Sequence, residues 1–324
     1  MKELPIPVYM SCDDNYAIHL CVVVASIVKN TKSKIHFIFF VSKLSNENKA
    51  RIVKVCEGHL LDFIESDMLL EKLGGLQSGH AHISMSTCSR YFISELDFPY
   101  EKGIYLDCDV LVFDDIKKLY DIDLGENYLA GADDLSSVAN AQKFNLERYF
   151  NSGVLLMNIK KMRDENLSSL FVKTSVESNG KFKYLDQDVL NLICGKQSMI
   201  LPIRWGMVAQ LFRKKITSKF FSKEEISSAI KNPAIVHFTG PDKPWNIPYG
   251  MLAHPWTPAY FYYANLAGFS IQAEKFKENY KPIKSLLVYL KRHLFFFLRL
   301  QYFKMRMLYA KNRKQYEYQI KDAR

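Results

Sequence analysis

From Ile35 to Val41 the chain reads IHFIFFV, seven residues with a single polar position, bounded by Lys34 and by Ser42-Lys43. A run so short and so apolar predicts a strand buried on both faces. Pro7–Ser11 forms an earlier strand and leads into Tyr16–Lys29, where apolar residues recur at helical spacing. After the buried run, Ser45 stands as a helix N-cap with Glu47 close behind, and Leu61–Ile64 is a third strand candidate. Strands alternating with helices imply right-handed crossovers and a mainly parallel sheet covered on both faces, hence an α/β fold. Farther on, Leu73–Ser86 predicts a loop, Ser86–Leu96 a helix, and Tyr105–Phe113 a strand carrying Asp107 and Asp109 near its carboxyl end. Gly153–Ile159 predicts a strand, Lys160–Ser178 mostly helix, Asp186–Cys194 a helix start, and Ala234–Phe238 a late strand. Pro241–Pro258, rich in Pro, Trp and Gly, reads as ordered loop.

With 324 residues, 48% of them hydrophobic, the chain can bury one large core, or a core plus a small accessory domain. Its six cysteines show no CxxC pair and no disulfide spacing, which predicts a reduced, cytosolic chain. The opening MKELPIPVYM places an acid and two prolines where a signal peptide needs an unbroken apolar core, and Cys21–Ile27 is too short to span a bilayer. The net charge of +10 is concentrated: Lys281–Arg324 holds twelve of the 44 Lys and Arg residues against two of the 34 acids, leaving the rest balanced. A neutral body with a basic appendage predicts an anionic surface at one end and argues against nucleic acid along the body.

Four stretches carry chemistry. In YLDCDVLVF, two carboxylates end a buried strand, where something positive should meet them. Strand alternation would point Asp107 and Asp109 to one face, about 7 Å apart, able to share a divalent cation. HFTGPDKPW (His237–Trp245) joins a histidine, a glycine that allows close backbone approach, and a lysine suited to phosphate. A histidine at a strand end is, by itself, more often a satisfied core residue than a ligand. SCDDNY (Ser11–Tyr16) follows the opening strand, and its Asp and Asn serve equally well as helix caps. KYLDQDVLN (Lys183–Asn191), with YFNSGVLLMN upstream, begins a helix with acids that the helix dipole alone would favour. No GxGxxG follows the first strand, and Gly74, Gly75 and Gly79 lack a P-loop lysine, so side chains must hold any nucleotide.

Taken in this order, from about Pro7 to Trp256, the four stretches resemble glycosyltransferase family 8, the retaining transferases that include bacterial lipooligosaccharide galactosyltransferases and glycogenin. The resemblance implies the GT-A nucleotide-sugar-binding fold, a Rossmann-like mixed sheet flanked by helices. It implies Asp107, Asp109 and His237 as metal ligands. Oxygen ligands favour Mg or Mn, and the histidine tilts the choice toward Mn. The same resemblance places Asp13, Asn15 and Tyr16, with Ser11 and Cys108, on the nucleotide side, Gly240 and Lys243 on the diphosphate, and Arg90, Asp134, Asn151, Asp186 and Gln187 around the donor sugar. His82 matches a position facing the acceptor, and the doubled Asp133-Asp134 leaves two acids competing for one sugar position.

A UDP-sugar donor, galactose or glucose, and an α-linked product on a lipopolysaccharide-type or other surface-glycan hydroxyl are what the resemblance predicts. Retention by double displacement needs a carboxylate nucleophile, and the matched residue is the amide Gln187. Same-face attack is therefore expected, the departing phosphate oxygen taking the acceptor proton and the Gln187 carbonyl stabilising positive charge. Asp186 orients the sugar or acts as nucleophile. Residues 1–265 form the catalytic domain in this reading, and 266–324 a helical, basic, aromatic tail. From Ser285 onward that tail suits an amphipathic helix on anionic lipid, holding the enzyme to the inner face of the cytoplasmic membrane. A helix packed on the body with a solvated basic face is the alternative for the tail. For the whole chain the alternatives are a glycogenin-like or protein-directed glucosyltransferase, a haloacid-dehalogenase-like phosphatase suggested by DCDV, and a non-catalytic sugar-nucleotide-binding protein. At least three strand candidates precede DCDV, whereas the phosphatase motif follows the first strand.

Overall fold

The computed structural model describes residues 4–74, 85–135, 138–212, 220–240, 243–246, 254–269 and 300–322. Nine strands form among these residues: β1 (Ile6–Asp13), β2 (Ile35–Ser42), β3 (Leu60–Glu65), β4 (Gly103–Leu106), β5 (Val110–Val112), β6 (Leu129–Asp133), β7 (Phe150–Met157), β8 (Ser198–Ile200) and β9 (Ile235–His237). Seven of them make one sheet in the order β3-β2-β1-β4-β7-β6-β8, while β5 and β9 make a separate antiparallel pair. Only β7 runs against its neighbours in the large sheet. Its beginning therefore meets the carboxyl ends of β4 and β6, the edge at which open α/β sheets bind ligands.

The buried run lies in β2, and its alternation feeds two cores. Phe37 and Phe39 pack with the helix Ala17–Asn30, whereas Ile38 and Phe40 pack on the opposite face with Tyr91 and Phe92. Ser45 caps the next helix through a bond from Asn48 N.

Four details depart from the pattern-based expectation. The strand expected over Tyr105–Phe113 is two strands in two sheets, because Leu106 still pairs with Val154 of β7 while Val110 pairs with His237 of β9. Both halves are buried, so the apolar pattern runs on across the break. The acids share a site because the chain turns there, and the pleat argument for them fails. The helix expected at Ser86–Leu96 is a 3₁₀ helix, Met85–Glu95, whose residues Cys88–Ser94 are all buried. Tertiary packing overrides local preference in that segment, since 3₁₀ runs of such length are otherwise uncommon. Asn166, left-handed at φ 52°, divides the expected Lys160–Ser178 helix into Ile159–Asp164 and Leu167–Ser178. Strands β6 and β8 have no counterpart in the sequence reading.

Asn191, fully buried, holds the start of β7 in place: its side chain accepts from Phe150 N (2.9 Å) and donates to Phe150 O (2.8 Å). Asn191→Leu strands both backbone groups and is expected to cost about 3 kcal/mol, read as a lowered urea midpoint. An unchanged midpoint would contradict the clamp.

Near the carboxyl end, the helix Leu300–Asp322 docks on the body through Met305, Asn312 and Tyr316, which lie on one helical face. Asn312 donates to Pro255 O (2.9 Å), and the Tyr316 ring sits 5.4 Å from that of Tyr262. Lys304, Arg306, Met307, Lys311, Arg313 and Lys314 remain exposed. Among the side chains described in this helix, those turned to the body are Met305, Asn312 and Tyr316, and the exposed ones are mostly basic. The segment 285–299 of the expected amphipathic tail lies outside the described residues. Among those described, no helix is long and apolar enough to cross a membrane. All six cysteines are free and buried.

Candidate active site

Pairing of β5 with β9 sets Val110 opposite His237, and so brings His237 to the turn that holds Asp107 and Asp109. One ligand atom from each of the three lies within 4.8 Å of the others. His237 Nε2 stands 3.0 Å from Asp109 Oδ1 and 4.0 Å from Asp107 Oδ2. Asp109 Oδ1 is buried against His237 Nε2 and has no other hydrogen-bond partner among the described residues. An imidazole and two carboxylates converging within 4.8 Å, one of their oxygens buried with only that imidazole beside it, fit a divalent cation of the Mn or Mg kind.

Gly153 borders the same space. A Cβ there would collide with His237 Cε1 and lie 2.5 Å from Asp107 Oδ2. Gly153→Ala is accordingly expected to displace the ligands and lower turnover by about 100-fold. Binding of Mn²⁺, followed by electron paramagnetic resonance, should weaken in parallel. Unaltered metal binding would show that the cluster is not the cation site.

Lys243 ion-pairs with Asp109 and donates to Phe238 O (2.6 Å). Gly240, left-handed at φ 80°, lies between the strand and this lysine, at a turn that residues with a Cβ resist. Burial raises the Asp109 pKa, but Lys243 and His237 outweigh it and hold the carboxyl well below its ordinary range.

A second group of side chains is joined to the first through Arg90. This buried guanidinium donates to Asp107 Oδ1 (2.8 Å) and Thr87 O (2.7 Å), contacts Asp186 Oδ2 (3.2 Å), also bonds Ser152 O, and lies over the Tyr105 ring. Burial opposes its charge, and Asp186, Tyr105 and Asp107 more than compensate. Asp186 is itself engaged at both oxygens, by Thr87 Oγ1 (3.0 Å) and Ser152 Oγ (3.1 Å). Burial raises its pKa against the pull of Arg90.

Beside it, the Gln187 carbonyl accepts from Asn151 Nδ2 (3.0 Å) and Ser152 N (3.1 Å), and its amide donates to Asp134 Oδ2 (2.8 Å). The register of β7 on β6 jumps between Gly131 and Ala132, so Ser152–Val154 bulge from that ladder and present Asn151 and Ser152 to Gln187. Asp133 pairs with Arg148, which distinguishes the two adjacent acids: Asp134 faces Gln187.

The nucleotide-side residues cluster less tightly. Asp13 ends β1 and accepts from Tyr16 N (3.0 Å) in the turn before the first helix, whose N-cap position, Tyr16, has no side-chain cap. Asp14 turns the other way, onto Ser45 N and Asn48 Nδ2 (2.8 Å each). Asn15 and Tyr16 are exposed. Ser11 and Cys108 are occupied with each other and with Tyr105: the thiol donates to Ser11 O (3.1 Å), and Ser11 Oγ lies 3.1 Å from Tyr105 OH. His82 lies outside the described residues.

Sequence reasoning missed His19. Its ring stacks on Trp245 at 3.8 Å and bonds Tyr260 OH at 2.6 Å, which ties the segment carrying Lys243 to the first helix. Gly153, Thr87, Ser152 and Asn191 were missed as well. The NSG of the β7 stretch was the available signal for Gly153 and Ser152.

A mixed sheet flanked by helices, with two carboxylates and an imidazole converging at its carboxyl edge, defines a glycosyltransferase of the GT-A class. The chain belongs to glycosyl transferase family 8, whose pattern matches residues 7–247. General stress protein A of Bacillus subtilis (strain 168) is 30% identical over 276 residues, covering 81% of this chain and 94% of that protein. The lipopolysaccharide 1,2-glucosyltransferase of Escherichia coli (strain K12) is 23% identical over 293 residues, covering 87% and 82%. The crystal structure of galactosyltransferase LgtC in complex with donor and acceptor sugar analogues superposes with a TM-score of 0.70 at 26% identity, covering 82% of this chain and 98% of that one. Membership leaves the phosphatase alternative without support, and in this fold Asp107 follows the fourth strand, not the first.

Proposed function

We propose that this protein transfers a hexose, galactose or glucose, from a UDP-sugar to a hydroxyl of a lipopolysaccharide-type or other surface glycan, forming an α bond. The observation that carries the reading is the joining of two groups on one sheet edge: Asp107, Asp109 and His237, and beyond Arg90, Asp186 and Gln187. Asp107, Asp109 and His237 would hold a divalent cation, Mn²⁺ or in its place Mg²⁺, which when bound supplies electrostatic stabilisation to the leaving diphosphate. Lys243 adds a positive charge for the same phosphates. Around the sugar, Asn151 and Ser152 fix the orientation of the Gln187 amide, and Asp134 takes its N–H.

An amide is a poor nucleophile, and both oxygens of Asp186 are engaged by Thr87, Ser152 and Arg90. These occupancies favour same-face attack, in which the acceptor hydroxyl displaces the diphosphate and its proton goes to the departing phosphate oxygen. Asp186 then orients the site, and the Gln187 carbonyl supplies negative potential beside the anomeric centre. The exposed basic face of the C-terminal helix supports peripheral attachment to the cytoplasmic membrane, where a lipid-linked acceptor is met. Nuclear magnetic resonance of the transferred sugar tests the stereochemistry: an α-anomeric product is expected, and a β product would overturn the retaining mechanism.

A further inference from the structure

We propose that the cleft between the C-terminal helix and the body binds the phosphate of an anionic lipid headgroup. The cleft encloses about 400 Å³ and is lined by Arg204, Lys231 and Trp256 of the body, with Asp114 among them, and by Lys311 and Gln315 of the helix. None of these belongs to the candidate active site. Asp114 is already matched, by Arg204 at 2.7 Å and Lys118 at 2.7 Å. Lys231 and Lys311 are exposed and have no ion-pair partner among the described residues. Two free ammonium groups and an amide donor beside a largely buried indole are suited to a phosphate ester joined to something apolar. The exposed Lys304, Arg306 and Lys314 of the same helix attract an anionic surface, which favours a membrane lipid over a free anion as the source. This site deepens the proposed membrane attachment and rests on that reading only for the source of the phosphate.

Dihexanoyl phosphatidic acid, which is soluble below its aggregation threshold, probes the cleft without the field of a whole bilayer. In calorimetric titrations of the full chain, K231Q/K311Q is expected to raise the dissociation constant about thirtyfold or more, the loss of two charge-assisted bonds. The R306Q/K314Q variant removes the same charge from exposed positions of the helix that do not line the cleft and is expected to bind nearly as the wild type does. Equal weakening of both variants would reduce the effect to diffuse surface charge and overturn the proposal, as would absence of binding by the wild type. Inorganic phosphate binding as tightly as the lipid would overturn the lipid source. UDP release measured on K231Q/K311Q should match the wild type, so the transferase reading stands or falls separately.

Discussion

Asp109→Asn is expected to lower metal-dependent turnover by roughly 10³-fold or more, the equivalent of several kcal/mol of transition-state charge stabilisation. The side chain is 14% exposed, with Lys243 on one oxygen and His237 near the other. Asparagine keeps the shape and removes the charge that a cation needs. Stability is expected to fall by only about 2 kcal/mol, because the Lys243 ammonium keeps its bond to Phe238 O. Activity and thermal unfolding measured on the same preparation separate the two effects. Retained activity would refute the metal assignment, whereas loss of both activity and fold would leave Asp109 a structural residue.

Substitutions at Arg90 should separate charge from shape. Its guanidinium serves Asp107, Asp186 and the Ser152 carbonyl together, and only 1% of the side chain is exposed. Arg90→Lys retains one positive charge but not the planar fork, and cannot span the three acceptors at once. Turnover is expected to drop by about 100-fold with a folded protein. Arg90→Met goes further, leaving two carboxylates unpaired at a cost of about 3–5 kcal/mol, seen as a melting temperature several degrees lower. Should Arg90→Met melt and turn over like the wild type, the bridge between metal ligands and sugar-side residues would have no role.

Much of this site could be read along the chain, because its ligands sit at the ends of apolar runs. Asp107 and Asp109 interrupt one such run, and His237 ends another, so buried strands announced where they stop. The break between β4 and β5 was hidden for the same reason: both flanks are apolar, and hydrophobicity does not record which sheet a strand joins. Arg90 was marked only by family likeness and Asp186 otherwise only as an acid opening a helix, since their contact spans ninety-six positions and follows from how the 3₁₀ segment meets the helix Leu185–Cys194. Gly153 has no side chain to signal a role, and its importance emerges from the space it leaves open. The tail was legible as basic and aromatic, yet which of its faces is turned inward depended on Met305, Asn312 and Tyr316 finding partners on the body.

Release of UDP by the purified full chain, from a panel of UDP-sugars with Mn²⁺ or with chelator and without added acceptor, tests the central claim most directly. The expected result is release from UDP-galactose or UDP-glucose that requires the metal and stops with chelator. Absence of release from every donor, together with absence of UDP binding, would contradict the assignment of this edge as a nucleotide-sugar site.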